Sequence, residues 1–410
     1  MNHILVAPDK FKGSATAAQV AAHLAAGLRD AGRYAVELPV ADGGEGTVAA
    51  AVAAGFRPVP VTVSGPTGAP VRAGFAVRHG TAVVELAAAS GLGLGAPDPL
   101  RASSRGTGEL LRAALDEGVA ELVLGVGGSA CTDGGAGMLA ALGARLLDAQ
   151  GEPLPDGGAA LARLARLDLS GLDPRLAGTR LVLASDVDNP LLGASGAASV
   201  YGPQKGAGPA DVARLEEALT RWAGIVHPGA AGRPGAGAAG GVGFAALAVL
   251  GARRRPGIDV VLELVGFGGQ LPGAACVVTG EGALDEQTLH GKAPAGVAAA
   301  ARRAGVPVVV VCGRSSVSAE RAAAAGIGAV HTLDEVQPDP ARCLADPGPA
   351  LRELGRRIGA GTPDVREAPG RVVSRERDRV RHSHGHRNDA GPGVDRPAFD
   401  GIRSGGPADG

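Results

Sequence analysis

Residues 122–143 impose the tightest constraint on how this chain can fold. An apolar run over residues 122–126 predicts a buried strand, the turn Gly127-Gly128-Ser129 follows directly, and residues 134–142 predict a helix. A strand that ends in glycines and continues as a helix leaves backbone N–H groups aimed one way, which favours an anion site. The alternative is an ordinary tight turn, because 68 of the 410 residues are glycine.

Strand and helix patterns alternate at both ends of the chain, whereas the middle has a different texture. Thr16 and Gln19 are spaced as a capping box at the start of the first helix. Five strands predict one doubly wound parallel sheet, and they cover residues 3–7, 35–41, 275–279, 306–312 and 329–333. Short strands joined by Gly/Pro turns indicate antiparallel pairing in the middle, over residues 59–63, 71–77 and 82–86.

These patterns predict an α/β protein of two domains. A mixed α/β domain of residues 58–255 is inserted into a doubly wound domain made of residues 1–57 and 256–361. The last stretch, residues 362–410, is rich in Arg and Asp and lacks apolar periodicity, so it is expected to be a disordered tail.

Composition argues against several classes of partner. The net charge of −1 is unlike that of a protein held to nucleic acid by bulk charge. No apolar run is long enough to span a bilayer, and Asp9, Lys10 and Lys12 interrupt the apolar start that a signal peptide would need. We therefore expect a cytoplasmic protein that binds neither nucleic acid nor membrane, and its oligomeric state stays open.

Polar side chains follow five of the predicted strands, where open α/β sheets bind their ligands. They are Asp9, Lys10 and Lys12; Asp42 and Glu45; Ser129, Thr132 and Asp133; Asp186, Asp188 and Asn189; and Glu281 and Asp285. Several carboxylates beside lysines and anion loops are typical of Mg²⁺ with a phosphorylated ligand, and hence of phosphoryl transfer. A glycosidase would need paired carboxylates but neither the lysines nor the anion loops.

Six longer motifs occur in order along the chain. They are A-P-D-K-F-K-G-S from residue 7, A-D-G-G-E-G-T from 41, G-V-G-G-S-A-C-T-D-G-G-A-G-M from 125, S-D-V-D-N-P-L from 185, Y-G-P-Q-K-G-A from 201 and T-G-E-G-A-L-D-E-Q-T-L-H-G-K-A-P from 279. Together they resemble the type I glycerate kinase family over residues 2–358. The resemblance implies Mg²⁺- and ATP-dependent phosphorylation of D-glycerate in a cleft between a flavodoxin-like domain and an inserted domain. It favours 2-phosphoglycerate as the product and leaves 3-phosphoglycerate open.

Position after strands and the motif match together predict a role for each candidate. Asp42 orients or deprotonates the glycerate hydroxyl, Lys10 and Lys12 neutralise phosphate or carboxylate, and Asp186 and Asp188 hold Mg²⁺. Substrate or nucleotide binding is expected of Asp9, Ser14, Glu45, Gly127, Gly128, Ser129, Thr132, Asp133, Asn189, Lys205, Gly280, Glu281, Gly282, Asp285 and Lys292. Two alternatives stay open: a kinase for another small hydroxy acid, and a non-catalytic regulator that binds a phosphorylated metabolite.

Overall fold

A computed structural model describes residues 2–289 and 291–362 of the chain. Its strands are β1 (His3–Val6), β2 (Ala35–Glu37), β3 (Arg57–Ser64), β4 (Pro70–Arg78), β5 (Thr81–Glu85), β6 (Glu121–Gly125), β7 (Arg145–Leu147), β8 (Arg166–Asp168), β9 (Arg180–Ala184), β10 (Arg253–Arg255), β11 (Ala274–Leu284), β12 (Val308–Ser315) and β13 (Ala329–Thr332). Its helices are α1 (Ala17–Asp30), α2 (Thr47–Ala53), α3 (Ala87–Ser90), α4 (Arg105–Asp116), α5 (Ala136–Ala141), α6 (Ala197–Tyr201), α7 (Pro209–Val226), α8 (Ala238–Ala248), α9 (Gly257–Leu264), α10 (Phe267–Gln270), α11 (Glu286–Leu289), α12 (Ala293–Arg303), α13 (Ala319–Ala324), α14 (Pro340–Ala345) and α15 (Gly348–Gly361).

The first sheet has the strand order β2-β1-β11-β12-β13, and every neighbouring pair is parallel. Strand β1 is buried on both faces: Ile4 and Val6 pack with α1 and α15, whereas Leu5 packs with α9 and α12. Helices on both faces of a parallel sheet whose strand order reverses beside β1 define a doubly wound, flavodoxin-like arrangement. The predicted α/β fold class is therefore confirmed.

Helices α1 and α15 pack so closely that their backbones touch. The predicted capping box is present, since the Thr16 side chain accepts from the Gln19 N–H and the Gln19 side chain accepts from the Thr16 N–H. Glycines permit the contact: a Cβ on Gly27 would lie 1.8 Å from the carbonyl oxygen of Arg352, and one on Gly355 would lie 2.3 Å from that of Leu24. The last helix thus covers one face of the first sheet.

The second sheet has the order β10-β9-β6-β5-β4-β3. Its β3–β4 and β4–β5 pairs are antiparallel, as the turns predicted, whereas its β5–β6, β6–β9 and β9–β10 pairs are parallel. The core beside this sheet contains Trp222, whose indole N–H donates to the Gly134 carbonyl at 3.0 Å. Strand β10 and the β7–β8 hairpin were not predicted, because their charged residues and short lengths mask any strand pattern.

The strands of each sheet come from the ranges predicted for the two domains, except that β3 begins at Arg57. The division at residues 57/58 and 255/256 stays a prediction. The expected disordered tail lies, after Thr362, outside the described residues. In the described part of the chain, no helix has the length and apolar character needed to cross a membrane.

Candidate functional site

A cavity of ≈ 880 Å³ lies where the carboxyl ends of β1, β11 and β12 face the loops that follow β2 and β6. Both sheets therefore contribute to its walls. Twelve of the sequence-predicted site residues line it: Asp9, Lys10, Lys12, Ser14, Asp42, Glu45, Gly127, Gly128, Glu281, Gly282, Asp285 and Lys292. The rule that ligands bind beyond strand ends identified the acids and the lysines of the first loop, whereas Ser14, Gly282 and Lys292 came from the motif match.

The loop after β1 places two cations and a buried acid in this cavity. The Asp9 N–H donates to the Gly280 carbonyl at 2.8 Å, which explains the position of the predicted Gly280, and the Lys10 N–H donates to Asp9 Oδ1 at 2.6 Å. Burial raises the pKa of Asp9 to about 6, and the Asp42 charge adds to this, although Lys10 opposes it. A tight turn with Gly13 at φ 84° then presents Lys12 to solvent at the cavity wall.

The loop after β2 meets the loop after β6 through glycine backbone. A Cβ on Gly127 would lie 2.6 Å from the Gly44 Cα, so only glycine fits there. Asp42 Oδ1 accepts the Gly44 N–H at 3.1 Å, which orients the carboxylate. Buried Glu85 accepts the N–H groups of Gly46 and Val48, and so fixes the beginning of α2. The contact therefore joins a loop of the first sheet to a loop of the second sheet, and Glu85 of the second sheet holds the first-sheet loop in place.

Gly127 and Gly128 form the glycine turn predicted to hold phosphate. The segment is tied down on its outer side, where the Leu92 N–H donates to the Gly128 carbonyl at 3.0 Å and the Ala130 N–H donates to the Ser90 carbonyl at 2.8 Å. The N–H groups of Gly127 and Gly128 have no acceptor in the described part of the chain. These amides at the cavity wall are therefore free to bind an anion.

Asp186 lies beside Asp42, although it does not line the cavity itself. Its Oδ1 accepts the Gly257 N–H at 2.7 Å, and the Asp42 carbonyl oxygen packs against the same Gly257, where a Cβ would lie 2.0 Å from it. The carboxyl still reaches solvent, yet partial loss of surrounding water raises the pKa of Asp186 to about 7, and the negative charge of Asp42 adds to the shift. A cation here would relieve this repulsion.

The wall formed by β11 carries two acids and a lysine. Half-buried Glu281 has an Oε1 atom with no hydrogen-bond partner among residues 2–289 and 291–362, and burial raises the pKa of its carboxyl group to about 7. Asp285 accepts the Thr288 N–H at 2.9 Å and lies 3.9 Å from Lys292 Nζ. The backbone bond from Thr288, together with the Lys292 charge, keeps the pKa of Asp285 below its usual value despite a smaller opposing effect of burial. This wall therefore combines Asp285, whose pKa is below its usual value, with Glu281, whose pKa is raised to about 7.

Two predicted residues near Asp186 engage other partners. The Asp188 side chain is 77% exposed and lies 2.5 Å from Arg254, so it is an ion-paired surface group away from the cavity wall. The Asn189 side chain accepts from the Tyr201 hydroxyl at 2.7 Å and donates to the Ser195 carbonyl at 2.8 Å. Asn189 thus connects the loop that follows β9 to helix α6.

The predicted residues that follow Gly128 lie inside the protein. Buried Ser129 pairs with Gly91, and the buried Thr132 hydroxyl has no hydrogen-bond partner in the described part of the chain. Buried Asp133 accepts from the Ser104 N–H and hydroxyl, each at 2.8 Å, and from backbone N–H groups at the start of α5. Lys205 is 1% exposed, and its Nζ donates to the Cys131 carbonyl at 2.5 Å. These side chains support the glycine turn from behind.

The cavity also has an outer end that the sequence analysis did not identify. It is formed by the segment after β13, with Leu333, Asp334, Gln337, Pro340, Cys343 and Leu344, and it adjoins Arg314 near the end of β12. The strand-end rule points to Arg314 and Asp334, since both follow predicted strands. The apolar members carried no signal, because Leu, Pro and Cys read as ordinary packing residues.

In residues 2–289 and 291–362, no three His, Cys, Asp or Glu side chains are arranged to hold a metal ion. Mg²⁺ requires fewer, because substrate phosphates and water complete its shell around one or two carboxylates. Asp186 fits such an ion because its solvent-exposed carboxylate supplies an oxygen ligand near the loop that carries Asp42.

Comparisons with known proteins agree on one family. The model for the glycerate kinase family matches residues 4–362. A glycerate kinase of Halalkalibacterium halodurans is 47% identical over 81% of this chain and 91% of its own, and a glycerate 2-kinase of Escherichia coli K12 is 44% identical over 76% and 84%. A crystal structure of a candidate glycerate kinase 2 from Salmonella typhimurium LT2 has a TM-score of 0.76 at 43% identity, covering 88% of this chain and 97% of that one.

Proposed function

Since the chain belongs to the glycerate kinase family, we propose that it transfers the γ-phosphoryl group of ATP to a hydroxyl of D-glycerate. We favour 2-phosphoglycerate as the product over 3-phosphoglycerate. The observation that carries the proposal is the cavity itself, in which carboxylates, lysines and free glycine amides from both sheets face one another. An ATP-dependent reaction also supports the cytoplasm as its compartment.

Phosphate binding falls to the lysines and the glycine turn. The Lys10 ammonium group is attracted by three carboxylates, those of Asp9, Asp42 and Glu45. Its ion pair with Asp9 fixes its position in the cavity. Lys12 is exposed at the tip of its turn and is placed to follow a moving phosphoryl group. The amides of Gly127 and Gly128 complete the cradle, which neutralises charge as the phosphoryl group passes between oxygens.

Asp42 is the group proposed to orient the attacking hydroxyl and accept its proton. Its Oδ1 is held by the Gly44 N–H at 3.1 Å, and the other carboxylate oxygen is available to a substrate. Asp186 would hold Mg²⁺, which when bound offsets the negative charge of the triphosphate. In this proposal Asp188 is not a metal ligand, because it is ion-paired with Arg254. Among the neighbouring acids, Asp42 has the largest effect on the pKa of Asp186.

The test is an ADP-release assay with D-glycerate, ATP and Mg²⁺. Glycerate-dependent ADP release supports a kinase, whereas the absence of glycerate-dependent ADP favours a non-catalytic regulator that binds a phosphorylated metabolite. A panel of small hydroxy acids in the same assay separates glycerate from other acceptors. NMR of the product then distinguishes 2- from 3-phosphoglycerate and tests the hydroxyl assignment.

A further inference from the structure

The outer end of the cavity differs in chemistry from its inner end. The inner end, around Asp9, Lys10 and Asp42, is charged and is crossed by glycine backbone. The outer end is formed mainly by apolar groups after β13: Leu333, Pro340, Cys343 and Leu344. Leu344 is 63% exposed, an unusual degree for a large apolar side chain, and Leu333 is buried beside it. A surface of this kind suits a flat apolar ligand group.

We propose that this outer end binds the purine base of the nucleotide. The inference rests on the proposed function, and it adds where in the cavity each end of the nucleotide lies. A nucleoside triphosphate has an anionic end and an aromatic end, whereas glycerate has no apolar face to bury. The inner end, with its lysines and glycine amides, suits the anionic end. The aromatic end is then left for the apolar wall.

Charge supports the same orientation. The three lysines that line the cavity, Lys10, Lys12 and Lys292, follow β1 and β11 at the inner end, whereas Gln337 at the outer end contributes a neutral amide that can hydrogen-bond a base edge. Arg314 ends β12, the strand between β11 and β13, so it lies between the two ends of the cavity. A nucleotide bound along the strand ends would therefore extend from the lysines at the inner end, past Arg314, to the apolar wall at the outer end.

Cys343 is a native cysteine whose reactivity can report on ligand binding at the outer end of the cavity. Of its four cysteines, Cys131, Cys276 and Cys312 are at most 5% exposed, whereas Cys343 is partly exposed at the cavity wall. Its Sγ donates to the Gln337 carbonyl at 3.3 Å, which keeps the thiol within the outer end. A base bound there would cover Cys343 and leave the other three thiols unaffected.

The experiment follows N-ethylmaleimide labelling of the native full-length protein by peptide mass spectrometry. The probes are ATP with Mg²⁺, ADP, D-glycerate and inorganic tripolyphosphate, with ATP and ADP at about ten times their half-saturating concentrations. We expect ATP and ADP to slow Cys343 labelling about tenfold, because roughly a tenth of the sites stay empty. D-Glycerate and tripolyphosphate should leave the rate unchanged.

Two results would decide against this placement of the base, and a third would separate it from the proposed function. ATP that supports ADP release but leaves Cys343 labelling unchanged means that the base binds elsewhere. Equal protection by tripolyphosphate means that phosphate occupies the outer end. A protein that binds ATP and protects Cys343, yet releases no glycerate-dependent ADP, would instead overturn the proposed function and leave the base site intact.

A matched pair of variants tests the apolar wall directly. Leu344→Asp should raise the KM for ATP at least tenfold and weaken Cys343 protection, with kcat and the KM for glycerate within twofold. Leu169→Asp alters a side chain of similar character, 40% exposed and outside the cavity lining, and should change none of these quantities. Both leucines are exposed, so neither variant is expected to unfold the protein. An unchanged KM for ATP in Leu344→Asp would refute the proposal.

Discussion

Gly127→Ala tests whether the close contact between the two loops sets the geometry of the reaction. The added Cβ would lie 2.6 Å from the Gly44 Cα, whereas ordinary contacts begin at 3.4 Å, so the loops must separate by about 0.8 Å. Gly44 is backbone two residues from Asp42, and cannot rotate away as a side chain would. A displacement of this size between the glycine turn that binds phosphate and Asp42, the proposed catalytic base, typically lowers the rate about 10²-fold.

We therefore expect kcat/KM for glycerate to fall about 10²-fold in the ADP-release assay. Overpacking should lower the unfolding free energy by roughly 1–3 kcal/mol, which urea unfolding measures and which leaves a stable fold. Gly224→Ala is the control: Gly224 is an exposed residue inside α7 with open space around it, so alanine should add about 0.5–1 kcal/mol and leave activity unchanged. A Gly127→Ala enzyme within threefold of wild-type kcat/KM would refute the reasoning.

Three further predictions concern single side chains. Asp42→Asn should lower kcat by about 10²–10⁴-fold with little loss of stability, because its Oδ1 still accepts the Gly44 N–H; near wild-type turnover would remove the role of base. The Glu281 pKa of about 7 exceeds its unfolded value near 4.5, so the folded state binds the proton more tightly and loses stability as pH rises between these values. Glu281→Gln cannot ionise, and its stability relative to wild type should rise by roughly 2–3 kcal/mol between pH 5 and pH 8 in urea titrations; parallel profiles would contradict this. Lys205→Met leaves the Cys131 carbonyl without its donor and should cost about 1–3 kcal/mol, with Lys205→Gln costing less; equal stability of Lys205→Met and wild type would exclude a supporting role.

The sequence predicted the first sheet well because its signals are local. Buried strands such as β1 and β12 are continuous apolar runs, and Thr16 and Gln19 announce the start of α1. Helix α15 was not predicted as a distinct element, since its role depends on glycine contacts with α1 that only the folded chain contains. Parallel pairing of β5 with β6 was likewise missed, because strand texture does not reveal the partner.

The site was predictable to the extent that it follows strand ends. That rule placed Asp9, Asp42 and Glu281 at one cavity, as the structure has them. It could not separate a carboxylate that faces the cavity from one that turns away, as Asp188 does toward Arg254. Nor could it tell a cavity lysine from Lys205, which is buried on a carbonyl. These distinctions depend on tertiary contacts and not on residue type or spacing.

The position of β1 between β2 and β11 has a consequence for biosynthesis. A chain leaving the ribosome carries β1 and β2 from the outset, but their neighbour β11 does not exist until Ala274 has been added. At typical translation rates that interval lasts roughly 15–50 s. The second sheet has all its strands by Arg255, whereas the first sheet, which begins with β1, has all its strands only after β13. During that time the apolar residues of β1 lack the strand that pairs with them on the β11 side.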